Sequence, residues 1–100
     1  MNENYHVSIS QRAQDNLINI LFYLEVNWSD RVKTEFSKRL IKLIRFISEN
    51  PYLFPISEFG QDVRRCMITK HNAVYYRIKA NEIEIITIHD VRQNPDNFQI

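Results

Sequence analysis

The residues able to do chemistry gather in the second half of the chain. His89, Asp90 and Arg92 close the stretch "EIEIITIHDVRQNP", and Arg65 and Arg77 stand in the two segments before it, "VRRCMITK" and "AVYYRIK". A histidine titrates near neutrality, and the planar guanidinium fork of arginine matches a phosphate. Metal-free cleavage of an RNA phosphodiester needs a base for the 2′-hydroxyl, a cation for the added phosphate charge and an acid for the leaving oxygen. His89 would serve as base or acid, Arg65, Arg77 and Arg92 as phosphate clamps, with Tyr75 or Lys70 assisting. The same residues also have a structural reading. Asp90 and Arg92 lie two apart, on one side of an extended segment, and would pair locally to fix the turn. His89 would then bond to backbone at the strand end.

A second set of residues suits binding rather than catalysis. Arg31, Lys33, Lys38, Arg39, Lys42 and Arg45 crowd one helical segment against Glu35 alone. Lys38, Lys42 and Arg45 form either a solvated face or a dock for an acidic partner. Trp28 is an apolar plug in a turn or, if exposed, an interface anchor, a role it would share with Arg92. His6, His71 and His89 show no ligand spacing and no cysteine pair exists, so neither a metal nor a cofactor is expected. Cys66, followed by Met67 and Ile68, reads as a buried structural thiol.

The elements that must position these groups follow from hydropathy periods. Tyr5, Val7 and Ile9 alternate with His6 and Ser8, as in a short strand. Ser10 suits an N-cap for a helix to about Val26, with Ala13, Leu17, Ile20, Leu21 and Leu24 on one stripe. Ser29 caps a second helix carrying Val32, Phe36, Leu40, Leu43 and Ile47, which stops at Asn50 because Pro51 follows. "PYLFPISEFGQD" reads as a loop. Period two then predicts strands over 63–70 and 73–79, joined at His71-Asn72 with Asn72 left-handed. The second strand places Tyr76 with Val74 and Ile78 in the core and Tyr75 outside with Arg77. A third, "EIEIITIH", carries isoleucines on both faces after Ile85, as a central strand would. The order β-α-α-β-β-β predicts an α+β domain over residues 1–100, with a short N-terminal strand and an antiparallel helical hairpin on one face of a mainly antiparallel sheet.

Bulk properties bound the function. One hundred residues suffice for one core, and 44% apolar with 25% charged residues is an ordinary globular balance. A formal net charge of +1 excludes a strong global field for nucleic acid. The start "MNENYHVSIS" lacks a signal-peptide pattern, and "LIKLIRFI" is broken by Lys42 and Arg45 and too short to span a bilayer. A cytoplasmic location without membrane contact is expected.

The element order, with "NPYLFP", "VRRCMITKHNAVYYRI" and "IEIITIHDVRQNP", resembles the RelE/ParE superfamily of type II toxins, and looks most like its ParE-leaning, plasmid-stabilisation branch. The resemblance runs from the first helix to Pro95. It implies a growth-inhibiting cytoplasmic toxin neutralised by a cognate antitoxin, in a toxin–antitoxin hetero-oligomer, the antitoxin lying along the helical hairpin and sheet edge. RelE-like members cleave mRNA in the ribosomal A site; ParE-like members poison DNA gyrase. RelE-like nucleases are usually strongly basic and place a Tyr or His near the C-terminus. Here the pI is about 7.9 and the tail "DNFQI" offers Phe98, which handles no proton. The resemblance therefore implies a gyrase-type target, with ribosome-dependent mRNA cleavage through His89, Arg65, Arg77 and Arg92 as the alternative. It also raises Arg92, at the "R-Q-N-P" piece, to a site residue beside Arg77 and Arg65.

Overall fold

The computed structural model describes residues 5–92. Strand β1 (His6–Ile9) leads into helices α1 (Gln11–Asn27) and α2 (Asp30–Glu49), followed by strands β2 (Val63–Met67), β3 (Asn72–Lys79) and β4 (Glu82–Asp90). This is the expected α+β order. The Ser10 side chain accepts from Ala13 N–H at 3.0 Å and that of Ser29 from Val32 N–H at 3.1 Å, so both predicted N-caps are made. No helix among the described residues is long and apolar enough to cross a membrane.

The sheet runs β1-β4-β3-β2, with β1 parallel to β4 and the other pairs antiparallel. β4 is thus central, as its isoleucines suggested. Phe36, Leu40 and Ile47 of α2 and Ala13 of α1 pack with Cys66, Val74, Tyr76, Ile83, Ile85 and Ile88 into the main core. Tyr76 is fully buried and its hydroxyl donates to the Pro51 carbonyl at 2.8 Å. Burial alone pushes the Cys66 thiol up to about 12, which keeps it an inert thiol.

A bulge in β4 explains the isoleucines on both faces. Tyr76 pairs with Ile85 but Tyr75 with Thr87, leaving Ile86 as the additional residue. Ile83 and Ile85 face the helices, Ile86 drops to the opposite face, and Ile88 returns to the helical side. β4 outruns β1 here, and α1 covers the gap. Asn16 Oδ1 accepts both the Thr87 hydroxyl, at 2.6 Å, and Ile88 N–H, at 3.2 Å, in place of a neighbouring strand.

The β2–β3 connection departs from expectation. β2 ends at Met67 rather than residue 70, because Thr69 organises a wider turn. Its hydroxyl oxygen accepts from His71 N–H and Asn72 N–H, both at 3.1 Å. Asn72 is therefore not left-handed. The left-handed residues among those described are Gly60, Gln61, Asp62 and Ala80.

Candidate functional site

The sheet face away from the helices is partly roofed by the loop before β2. Residues 55–57 pair along the β2 edge, with Ser57 N–H donating to Val63 O at 2.7 Å and Arg65 N–H to Pro55 O at 3.1 Å. Phe59 then turns in over the sheet, and its ring meets Tyr75 edge-on at 5.4 Å. Val63, Ala73, Tyr75 and Ile86 become a second, smaller core against Phe59 and Val91. Tyr75 is 0% exposed, which corrects its expected place outside. Period two gives the correct face; the covering loop decides burial.

The turn that carries this roof is backbone-strained. Gly60, Gln61 and Asp62 have φ of 61°, 52° and 60° in succession. Gly60 takes this conformation freely, whereas the two side-chain-bearing residues cost about 1–2 kcal/mol each. The product is a fixed position for Glu58. Its Oε1 accepts from Arg65 Nη1 at 3.2 Å and its Oε2 from the Tyr75 hydroxyl at 3.1 Å. Burial, followed by the Glu58 charge, raises the Tyr75 pKa. Arg64, on the other face of β2, donates to the carbonyls of Tyr52 and Phe54 and lies 5.2 Å from the Tyr52 ring centroid.

The four nuclease candidates do not converge. His89 lies opposite Ala73 on the Tyr75 side, its ring 6.3 Å from that of Tyr75. Desolvation lowers its pKa against the opposing pull of Asp90 and Glu58, with Arg12 lowering it further, so the ring is neutral near pH 7. Arg65 is nearby but bonded to Glu58. Arg77 pairs with Val63 and Glu84, two residues further along the sheet. Arg92 follows Asp90, which pairs with Asn72, so it lies on the order of 17 Å along β3 from Arg77. The expected grouping of Arg92 with Arg77 and Arg65 is therefore corrected by the register. Arg92 is instead held by Asp90, through Nε–Oδ1 at 3.0 Å and Nη2–Oδ2 at 2.6 Å. The Arg92 side-chain bonds, ahead of its backbone bond, bring the Asp90 carboxyl to about 2.

A different region is concave. A groove of about 960 Å³ opens where the helical hairpin overhangs the end of β3 and β4. Ile20, Tyr23, Leu24, Trp28, Val32 and Phe36 form its apolar wall, with Arg39, His71, Asp90 and Arg92 among its polar residues. Trp28, at the C-cap of α1, is 68% exposed and does not plug the turn. Two of the five partner-binding candidates, Trp28 and Arg92, thus line one groove. Lys38 and Lys42 line a smaller hollow on α2, and Arg45 is exposed one turn further on. α1 also exposes Ile18, Phe22 and Val26 at helical spacing, a stripe hidden in sequence because α1 is apolar on two sides. Among the described residues no group of His, Cys, Asp and Glu could hold a metal ion.

Residues 7–95 match the model of the ParE toxin of the type II toxin–antitoxin system parDE. The chain belongs to this family and is a toxin of the wider RelE/ParE superfamily. The fold agrees. The chromosomal ParDE system from P. aeruginosa superposes with a TM-score of 0.74 at 16% identity, over 86% of this chain and 95% of that one. A YoeB/ParE toxin from Agrobacterium tumefaciens gives 0.65 at 15% identity, over 85% and 96%. The YoeB-YefM complex from Staphylococcus aureus gives 0.56 at 17%, over 87% and 97%. No curated protein is matched by the sequence.

Proposed function

We propose that this toxin inhibits a DNA gyrase-type topoisomerase by binding it, and that a cognate antitoxin neutralises the toxin by covering the groove at Trp28 and Arg92. Lys38, Lys42 and Arg45 would extend that contact along α2 toward acidic residues of the antitoxin. The observation that carries the reading is the state of the nuclease candidates. Arg65 is bonded to Glu58 and Arg92 to Asp90, and Arg77 stands two residues along β3 from the Arg65–Tyr75 pair, at the opposite end of the strand from Arg92. His89 has Arg12 and Arg65 near it, but Arg65 is engaged by Glu58, which weakens the charge stabilisation that phosphodiester cleavage requires. The groove, by contrast, combines an exposed tryptophan with an apolar wall and a charged rim, the composition of an interface centre.

Tightly controlled expression, with plasmid supercoiling and mRNA integrity read in the same cells, tests the target. Lost supercoiling with intact mRNA is expected. Codon-positioned mRNA cuts that disappear in His89→Ala would replace this reading by ribosome-dependent endonuclease action.

A further inference from the structure

Helix α1 is apolar on two sides, and the described residues bury only one of them. Ala13, Leu17, Ile20, Leu21 and Leu24 pack into the main core. On the opposite side Ile18, Phe22 and Val26 remain 64%, 66% and 63% exposed. From Leu17 to Val26 the helix reads "LINILFYLEV", with Glu25 as its one charge. A helix apolar all round is normally buried all round. Positions four apart advance by about 40° and about 6 Å, so the three side chains stack into one stripe. Single exposed apolar residues are ordinary, whereas a contiguous patch on the order of 400 Å² marks an interaction surface.

Charge decides what fits this stripe. The exposed side of α2 carries Arg31, Lys38, Lys42 and Arg45, which attract an acidic partner and repel a second copy of the chain. The outer side of α1 has no such field. Glu25 is tied to Lys33 of its own chain at 3.1 Å, and Asp15 sits a turn beyond the stripe at its other end. Two copies laid antiparallel and centred on Phe22 set Ile18 opposite Val26 and hold the two Asp15 carboxylates about 20 Å apart along the axes. A parallel pair would set Asp15 against Asp15 and Glu25 against Glu25. The stripe is therefore complementary to itself in one orientation, as a two-fold contact requires.

We infer that two copies of this chain pair through the outer face of α1, antiparallel about a two-fold axis at Phe22, with Ile18 of each against Val26 of the other. The stripe supplies about half the roughly 800 Å² per partner of a standard interface, so the dimer is weak and forms only at high concentration. Tyr23 and Trp28 lie on the groove side of α1, so pairing leaves both grooves open. The inference does not rest on the topoisomerase reading.

Sedimentation equilibrium of the purified full-length protein tests it. The parent should show a monomer–dimer equilibrium with a Kd on the order of tens of micromolar. Phe22→Glu should weaken it at least about tenfold, because two carboxylates then meet at the axis. Leu53→Glu, at an equally exposed site on the loop after α2, should leave it unchanged. Far-ultraviolet dichroism checks that both variants keep their helices. Ile18→Glu and Val26→Lys chains should each dimerise poorly alone and recover when mixed, which only the antiparallel register allows. A parent that stays monomeric up to about ten times that Kd would overturn the inference. So would a dimer that survives Phe22→Glu, or a mixture that fails to recover. A monomeric parent whose antitoxin affinity falls in Phe22→Glu would assign the stripe to the antitoxin instead. One whose effect on supercoiling is lost in that variant would assign it to the target. The parent's own supercoiling result is read separately, so the two readings fall separately.

Discussion

The two sides of this sheet end treat their reactive groups in opposite ways. On the face away from the helices, Arg65 and Tyr75 are bonded to Glu58, and Phe59 closes over the remaining apolar surface. At the groove, Trp28 and Tyr23 stay in contact with water, while Arg92 is tied to Asp90 and Arg39 to the Ile68 carbonyl. A surface whose donors already have partners inside the chain gains little from a new one, whereas exposed aromatic area still has burial to gain. The difference directs attention to the groove as the working surface and to the sheet face as a guarded one.

Removing Trp28 puts most strain on that contrast. Trp28→Ala should weaken antitoxin binding by about 2 kcal/mol or more, roughly thirtyfold, as for an exposed anchor at an interface centre. Stability should shift by less than about 0.5 kcal/mol, because the ring is not packed in the core. Calorimetric titration with the antitoxin and urea unfolding together check both halves. An unchanged affinity would remove the groove from the interface.

Asn16→Ala should cost about 1–3 kcal/mol of stability, since it leaves the Thr87 hydroxyl and Ile88 N–H without their acceptor. Urea unfolding reads this directly. A loss below about 0.5 kcal/mol would mean that the β4 edge does not depend on α1 for its hydrogen bonds.

Acid should act on the groove rim through Asp90. Its carboxyl is held at about 2 against an ordinary 3.8, so between these values the unfolded chain takes up a proton that the native chain refuses. The stability from this pair is complete above about pH 4 and is lost as pH falls through about 2. Arg92→Ala should return the Asp90 titration toward its ordinary value, followed by carboxyl chemical shifts. An Asp90 that stays low without Arg92 would assign its shift to the backbone bond and His71.

The smallest effect belongs to the guarded face. Arg65→Ala should change stability by less than about 1 kcal/mol, because its partner and itself are both partly solvated. A larger loss in thermal unfolding would show that the Glu58 contact holds the loop as well as guarding the face.

Local signals carried most of the fold into the sequence. Ser10 and Ser29 cap their helices, Pro51 ends α2 and the six elements appear in the expected order, because each depends on neighbours within a few positions. What escaped depends on register and on distant loops. Glu58 reaches Arg65 seven residues ahead and Tyr75 seventeen ahead, contacts that no period encodes. "SEFGQD" did mark a turn with an acid and an aromatic in it, the one legible trace of that roof. Arg65, Arg77 and Arg92 looked alike as strand-borne cations. Pairing put Arg77 and Arg92 at opposite ends, and a carboxylate two residues away took up Arg92. The groove needed both helices and the Thr69 turn in place before Trp28 and Arg92 could share it.

Ile86 makes the identity of the C-terminal strand end a matter of counting. Closing the bulge with Ile86 retained, so that Ile86 in place of Thr87 lay opposite Tyr75, would leave every downstream side chain chemically unchanged and turn each to the other side of the ribbon. Ile88 would then lose the helices, and His89 would enter the main core in its place. The register across the bulge therefore matters here as much as residue type.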